Sequence, residues 1–264
     1  MKRVISKDNQ YIRQAASLKN KKYRVREQMF LLEGKKMVIE ALQSHKPLIR
    51  VLVDEAHQEE YQPLAERYCD PEWLQVDSRV FNGIAATDTP QGIMAVAPIP
   101  DHDLGELFKQ SAGLIMLDRI SDPGNLGTII RTAWALDIDG ILLSPECTDP
   151  FSPKAVRASM GGVLNVPVYT AVGRQQIEQL QSAGYKVIGT AIAARTTVFE
   201  EEYKGAHIIV IGSEARGISP AIQACCDNLI NIPINPAVDS LNAAVACAII
   251  MMEVWKQRNN TFLS

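Results

Sequence analysis

Three loops hold the residues whose types and spacing could do chemistry. The first runs Asp118-Arg119-Ile120-Ser121-Asp122-Pro123-Gly124-Asn125-Leu126-Gly127 and continues to Arg131. It follows an apolar strand and opens a helix, where a parallel sheet puts its ligands. Gly124 and Gly127 permit close backbone approach, and Asn125 suits a helix cap. Arg131 lies on the helix flank away from the Leu126, Ile130 and Trp134 stripe, free for a carboxylate or a phosphate. The second loop, Ile211 to Ile218, sets Glu214 between two glycines at the end of another apolar strand, a poor place for a core carboxylate. The third, Ile232 to Asn242, joins the last strand to the last helix, and Pro233 and Pro236 keep it rigid and extended. Each loop also has a plain alternative: a turn with a cap, a turn with a solvated charge, and, for Ser240 and Asn242, simple N-caps. No G-x-G-x-x-G and no G-K-[ST] is present. The histidines His45, His57, His102 and His207 lie outside the loops, so neither a Ser-His-Asp triad nor a metal site has support.

The elements that position these loops follow from hydrophobic periodicity. GLIMLD (113–118), ILLS (141–144), VPVY (166–169), KVIGTAIA (186–193), HIIVIG (207–212) and LINIPI (229–234) read as buried strands. Helices are expected at LGTIIRTAWAL (126–136), 153–160, QQIEQLQSAG (175–184), near 219–226, and from Ser240 to Arg258. Strand–helix repetition with near-continuous apolar strands predicts a mostly parallel sheet covered on both faces. Ahead of it lies a smaller α/β alternation: a basic helix over 7–25, helices near 35–44, 58–68 and 79–86, and strands at 49–53, 73–77 and 92–99. Pro98-Ile99-Pro100-Asp101-His102-Asp103 breaks both periods and marks the boundary. The division expected is 1–100, a linker 101–112, and 113–264.

Composition excludes several classes. With 47% hydrophobic and 22% charged residues in 264, the chain has ample core material, which rules out a disordered, collagen-like or disulfide-scaffold protein. Cys69, Cys147, Cys225, Cys226 and Cys247 contain no C-x-x-C and read as reduced, small core residues. MKRVISKDNQ has no apolar core of a signal peptide, and the run Ala243 to Met252 is too short to span a membrane, so a cytoplasmic protein is expected. The net charge of −3 hides an asymmetry, because residues 1–36 carry 11 Lys/Arg against 3 Asp/Glu. Such a basic arm suits a polyanion, nucleic acid first, unless it is only a solvated helix face.

In their order, the three loops carry a resemblance. N-L-G-T-I-I-R-T-A (125–133), G-S-E-A-R-G (212–217) and I-P-I followed after five residues by S-L-N-A-A-V-A (240–246) resemble the three motifs of the SpoU/TrmH family of RNA ribose 2'-O-methyltransferases. R-A-S-M-G-G (157–162) before V-P-V (166–168) is similar to the family's small-residue stretch. F-L-L-E-G-K-K-M-V-I-E-A-L (30–42) and T-P-Q-G-I-M-A-V (89–96) resemble its L30e-like substrate-binding domain. One departure is Pro236, where the family usually has glycine. The resemblance implies an α/β fold of SPOUT type, with a mostly parallel sheet and a C-terminal deep trefoil knot, behind a small α/β L30e-like domain. It implies S-adenosylmethionine as cofactor, held largely by main-chain groups of Gly212, Ile232 and Leu241, with Thr190 and Ala191 beside them. Catalysis is expected from Arg131, with Asn125, Glu214, Ser240 and Asn242 fixing it and the ribose. A charged Arg131 that grips phosphate is the physically simpler role, since a guanidinium does not deprotonate. RNA contacts are expected from Lys19, Lys21, Lys22, Arg24 and Arg26, with ribosomal RNA ahead of transfer RNA as the target. A homodimer through the terminal helix (Val245, Ile249, Met252, Trp255) is expected, with no metal and no membrane partner. An RNA-binding module without catalysis, or a nucleotide-cofactor oxidoreductase, are the readings from other classes.

Overall fold

The computed structural model describes residues 1–109 and 112–259. Gln110 and Ser111 of the expected linker, and 260–264 at the end of the expected second domain, lie outside them. The chain forms two compact units, Met1–Pro100 with Phe151–Leu164, and Asp101–Pro150 with Asn165–Ser264. The first boundary falls at the Pro98–Asp103 stretch. The rest of the partition differs from the expected one: 101–109 belongs to the second unit, where Leu107 is in the core, and 151–164 returns to the first.

In the first unit β1 (Lys2–Val4), α1 (Gln10–Ser17), α2 (Lys21–Glu27), β2 (Met29–Glu33), α3 (Lys35–Gln43), β3 (Arg50–Asp54), α4 (Gln58–Arg67), β4 (Glu72–Val76), α5 (Ser78–Ile84) and β5 (Ile93–Pro98) follow one another. Their five-stranded sheet has the order β1-β4-β3-β5-β2, with β5 antiparallel to both β3 and β2 and the other pairs parallel. The expected single helix over 7–25 is two helices. Asn20 accepts from the Lys22 N–H and caps α2, a role asparagine takes readily. Ile12, Ala15 and Leu18 are buried in the unit's core, so the segment is an integral layer and not an arm.

The second unit begins with β6 (Gly113–Asp118), α6 (Pro123–Ala135) and β7 (Gly140–Leu143). The chain then supplies α7 (Pro153–Ser159) to the first unit, against β2, with the Phe151 ring 5.0 Å from that of Phe30. It resumes with β8 (Val168–Tyr169), α8 (Arg174–Ser182), β9 (Lys186–Thr190), β10 (Thr196–Thr197), β11 (His207–Gly212), α9 (Pro220–Gln223), β12 (Asn228–Asn231) and α10 (Ala243–Arg258). The seven-stranded sheet runs β10-β12-β9-β11-β6-β7-β8, and every pairing is parallel. β6 and β11 lie at its centre in register, His207 opposite Gly113 through Gly212 opposite Asp118. Their carboxyl ends therefore deliver the first and second loops side by side. Trp134, placed on the buried face of α6 by periodicity, is 39% exposed, while Leu126, Ile129, Ile130 and Ala133 are buried. Cys225 and Cys247 are core residues, whereas Cys69 is at the surface.

Candidate active site

Helix α6 starts earlier than its apolar run suggests. Pro123 occupies its first turn, and the cap is Asp122, whose carboxylate accepts from the Asn125 N–H at 2.8 Å. Asn125 is thus not the cap, and its side-chain amide is directed elsewhere. It donates to Glu214 Oε1 at 2.9 Å. Asn242 caps α10, its Oδ1 accepting from the Ala244 and Val245 N–H groups. Its Nδ2 donates to Asn125 Oδ1 at 3.1 Å and reaches Glu214 Oε1 at 3.3 Å. The Ala243 N–H completes the set at 3.0 Å from the same Oε1. One carboxylate oxygen, held by two amides and a helix N-terminus, ties the three loops together. Glu214 Oε2 has no hydrogen-bond donor among the described residues.

Beside this junction lies a cavity of about 470 Å³, within the range of small-ligand sites. Thr190, Ala191, Gly212, Glu214, Ile232, Ser240 and Leu241 all line it, with Ile192, Ile218, Asn231 and Ile234 among the remaining wall residues. Gly212 has no room for a side chain, since a Cβ there would fall on the backbone of Gly217 and Ile218. The turn it admits is closed by the Gly217 N–H on the Ser213 carbonyl at 2.8 Å. The main-chain groups of Ile232 and Leu241 make no hydrogen bond among the described residues. Those of Ala191 are occupied, its N–H by the Ile230 carbonyl and its C=O by the Ala194 N–H. Ala191 can therefore offer a ligand its wall but not a ladder-free N–H. Thr190 Oγ1 likewise donates to the Val210 carbonyl at 3.0 Å.

Arg131 is exposed on α6, and its guanidinium makes no hydrogen bond or ion pair among the described residues. The expected tether between Glu214 and Arg131 does not form among the described residues; the contacts of Glu214 go to Asn125, Asn242 and the Ala243 N–H instead. Ser240 is exposed at the cavity rim, and its side chain makes no hydrogen bond among the described residues. Of the basic cluster, Arg24 is a correction: it is 3% exposed, and its Nη1 donates to the Leu18 carbonyl at 2.7 Å, a cation drawn to the end of α1. Lys19 Nζ donates to the carbonyls of Gly83 and Ala85, and Arg26 pairs with Glu27 at 2.7 Å. Lys21 and Lys22 are exposed.

Sequence reasoning passed over Asp118 and Arg119. Asp118, 2% exposed, accepts from the Ser219 N–H at 2.6 Å, and Arg119 Nη2 donates to the Gly217 carbonyl at 3.2 Å. Together they hold the carboxyl end of the second loop, at Gly217 and Ser219, from the first loop. A carboxylate closing a wholly apolar strand was the available signal, since a buried charge demands a partner.

A model of the SpoU rRNA methylase family matches residues 113–252, more than half of the chain. The chain belongs to the SpoU methylase family. An MRM3-like substrate-binding domain matches residues 9–95. Among relatives of this SpoU protein, the 23S rRNA (guanosine(2553)-2'-O)-methyltransferase RlmP of Bacillus subtilis is 30% identical, covering 95% of this chain and 98% of that protein. An AdoMet-bound rRNA methyltransferase from Sinorhizobium meliloti superposes with a TM-score of 0.86 at 31% identity, over 98% of each chain. The SpoU methyltransferase AviRb from Streptomyces viridochromogenes, in complex with AdoMet, gives 0.85 at 27% identity, over 95% of this chain and 98% of that one.

Proposed function

We propose that this SpoU-family chain methylates a ribose 2'-hydroxyl of ribosomal RNA, using S-adenosylmethionine. The observation that carries the reading is the meeting of all three loops at one carboxylate oxygen beside a cavity that takes a small ligand. The cavity fits that cofactor. Its wall is largely apolar, Gly212 keeps the floor low, and Ile232 and Leu241 leave main-chain donors and acceptors for a heterocycle's edge. Bound there, S-adenosylmethionine supplies an electrophilic methyl group.

The remaining work falls to the chain's own groups. A ribose hydroxyl is weakly acidic, so it must be oriented and its proton loss eased. Arg131, charged and unpaired, grips the phosphate beside the target ribose and stabilises the developing alkoxide. Glu214 Oε2 is an acceptor left for the hydroxyl, while its Oε1 keeps Asn125 and Asn242 in place. Ser240 adds a hydroxyl at the rim. RNA is required because DNA lacks the 2'-hydroxyl.

The reading extends to a homodimer. Helix α10 buries Cys247, Ile250, Met251 and Val254 and yet exposes Val245 by 49% and Met252 by 51%, beside half-buried Ile249 and Trp255. A helix apolar on both faces calls for a second covering surface. Trp134, also exposed, lies on α6, which packs on α10. A monomer by light scattering at micromolar concentration overturns the dimer. The reading extends also to threading of the C-terminal part as a trefoil knot and to a place in the cytoplasm. No described helix is long and apolar enough to cross a membrane, and no group of three or more metal-ligating side chains occurs among the described residues.

The test is transfer of labelled methyl from S-adenosylmethionine to unmodified ribosomal RNA, with the ribose mapped. Transfer to ribosomal RNA is expected. Transfer to transfer RNA alone reassigns the substrate, and cofactor binding without any transfer reassigns the chain to a binding module.

A further inference from the structure

The first unit has a concave site that the catalytic reading does not use. A depression of about 580 Å³ lies between α1, α2 and the start of β3. Its walls carry Tyr11 and Tyr23 with Arg13, Arg26 and Arg50. The two rings are already paired with cations, the Arg50 guanidinium 3.9 Å from the Tyr11 centroid and that of Arg26 4.8 Å from Tyr23. Arg50 is fixed in this pose by Glu72 at 2.9 Å and by Gln14 Oε1 at 3.1 Å, and only 7% of it is exposed. Arg26 is held by Glu27. Arg13 is exposed and has no side-chain partner among the described residues.

We infer that this depression is a seat for one unpaired nucleotide of the RNA. The inference rests on the proposed function for its substrate class and names the place where that substrate is held. Flat guanidinium and phenol surfaces stack on any nucleobase, and stacking is the main energy of single-strand binding. Gln10, exposed in the same depression, offers an amide that can both donate to and accept from a base edge. Arg13, unpaired, is the group left for the phosphate. A duplex cannot use these features, because its bases stay stacked inside the helix. An acidic peptide would meet the charge but leave the ring faces idle.

The experiment is fluorescence anisotropy with the full chain and a labelled ten-nucleotide oligouridylate, beside a duplex of equal length and polyaspartate as competitors. Tyr23→Leu should weaken oligouridylate binding roughly 5- to 150-fold, the range of one lost stacking contact. Tyr23→Phe should restore it. Arg13→Ala should lower the slope of log affinity against log salt by about one. S-adenosylmethionine affinity, read by calorimetry on the same variants, should stay at the wild-type value and shows that they are folded. Wild-type oligouridylate affinity in folded Tyr23→Leu overturns the seat, as does equal competition by the duplex or by polyaspartate. Failure of the proposed function looks different: the unmodified chain then transfers no methyl group, while Tyr23→Leu still weakens the oligonucleotide.

Discussion

Glu214 and Arg131 divide the labour of the site in a way that substitutions can separate. Glu214→Gln keeps an acceptor for Asn125 and Asn242 but removes the charge and the second carboxylate oxygen. Cofactor affinity should remain within about threefold while turnover falls by more than tenfold, read by calorimetry and methyl transfer. Glu214→Ala orphans both amides and the Ala243 N–H, so cofactor affinity itself should drop, by about 1–2 kcal/mol for partly exposed donors. Arg131→Lys keeps the charge and loses the planar fork. If Arg131 serves a developing oxyanion, the rate should fall on the order of 100- to 1000-fold with cofactor affinity intact. Full activity of Arg131→Lys would remove it from catalysis. At this scale the sequence was informative about the polar residues of the motifs and silent about their bonds. Asn125 looked like a cap because it precedes the apolar run, but Pro123 starts the helix earlier and hands the cap to Asp122. Arg24 looked solvated among lysines, and only the break between α1 and α2 reveals the carbonyl that takes it inside.

The third loop shows how an element absorbs a departure from the family pattern. Pro236 is the second residue of a turn closed by the Val238 N–H on the Asn235 carbonyl at 2.9 Å, with Asn235 Oδ1 also taking the Ala237 N–H. Proline is favoured at that position because its ring presets the dihedral. Pro236→Gly should therefore leave cofactor binding unchanged and lower stability by about 0.4–1 kcal/mol through the freer unfolded chain, measured by urea denaturation. Long apolar strands such as β6 and β11 were legible from composition alone. β1, β2 and β10 were not. β1 and β10 are short edge strands, three and two residues long, with no period to read, and β2 adjoins a basic segment that masked its four buried residues.

For the whole molecule, His207 links stability to pH. It is 1% exposed, and burial lowers its pKa below the ordinary 6.5, against the opposing pull of the Gly205 carbonyl at 3.0 Å. The folded chain thus holds the neutral ring, while the unfolded chain takes up a proton near the ordinary value. Stability from this source is complete above about pH 6.5 and is lost as pH falls below it. The midpoint of thermal unfolding should decline between pH 6.5 and 5 more steeply in the wild type than in His207→Gln. Equal slopes would place the acid sensitivity elsewhere.

The return of Phe151–Leu164 to the first unit has a consequence for how the protein is born. A ribosome releases residues in order, so Met1–Pro100 emerges well before the helix that completes it. At roughly 5–20 residues per second the nascent first unit waits several seconds with Phe30 and the face of β2 uncovered. During that interval the second unit's opening strands are also being made. Synthesis from the amino end therefore cannot finish the two units one after the other. A chain arrested before residue 151 should recruit holding chaperones that a chain arrested beyond residue 164 no longer needs.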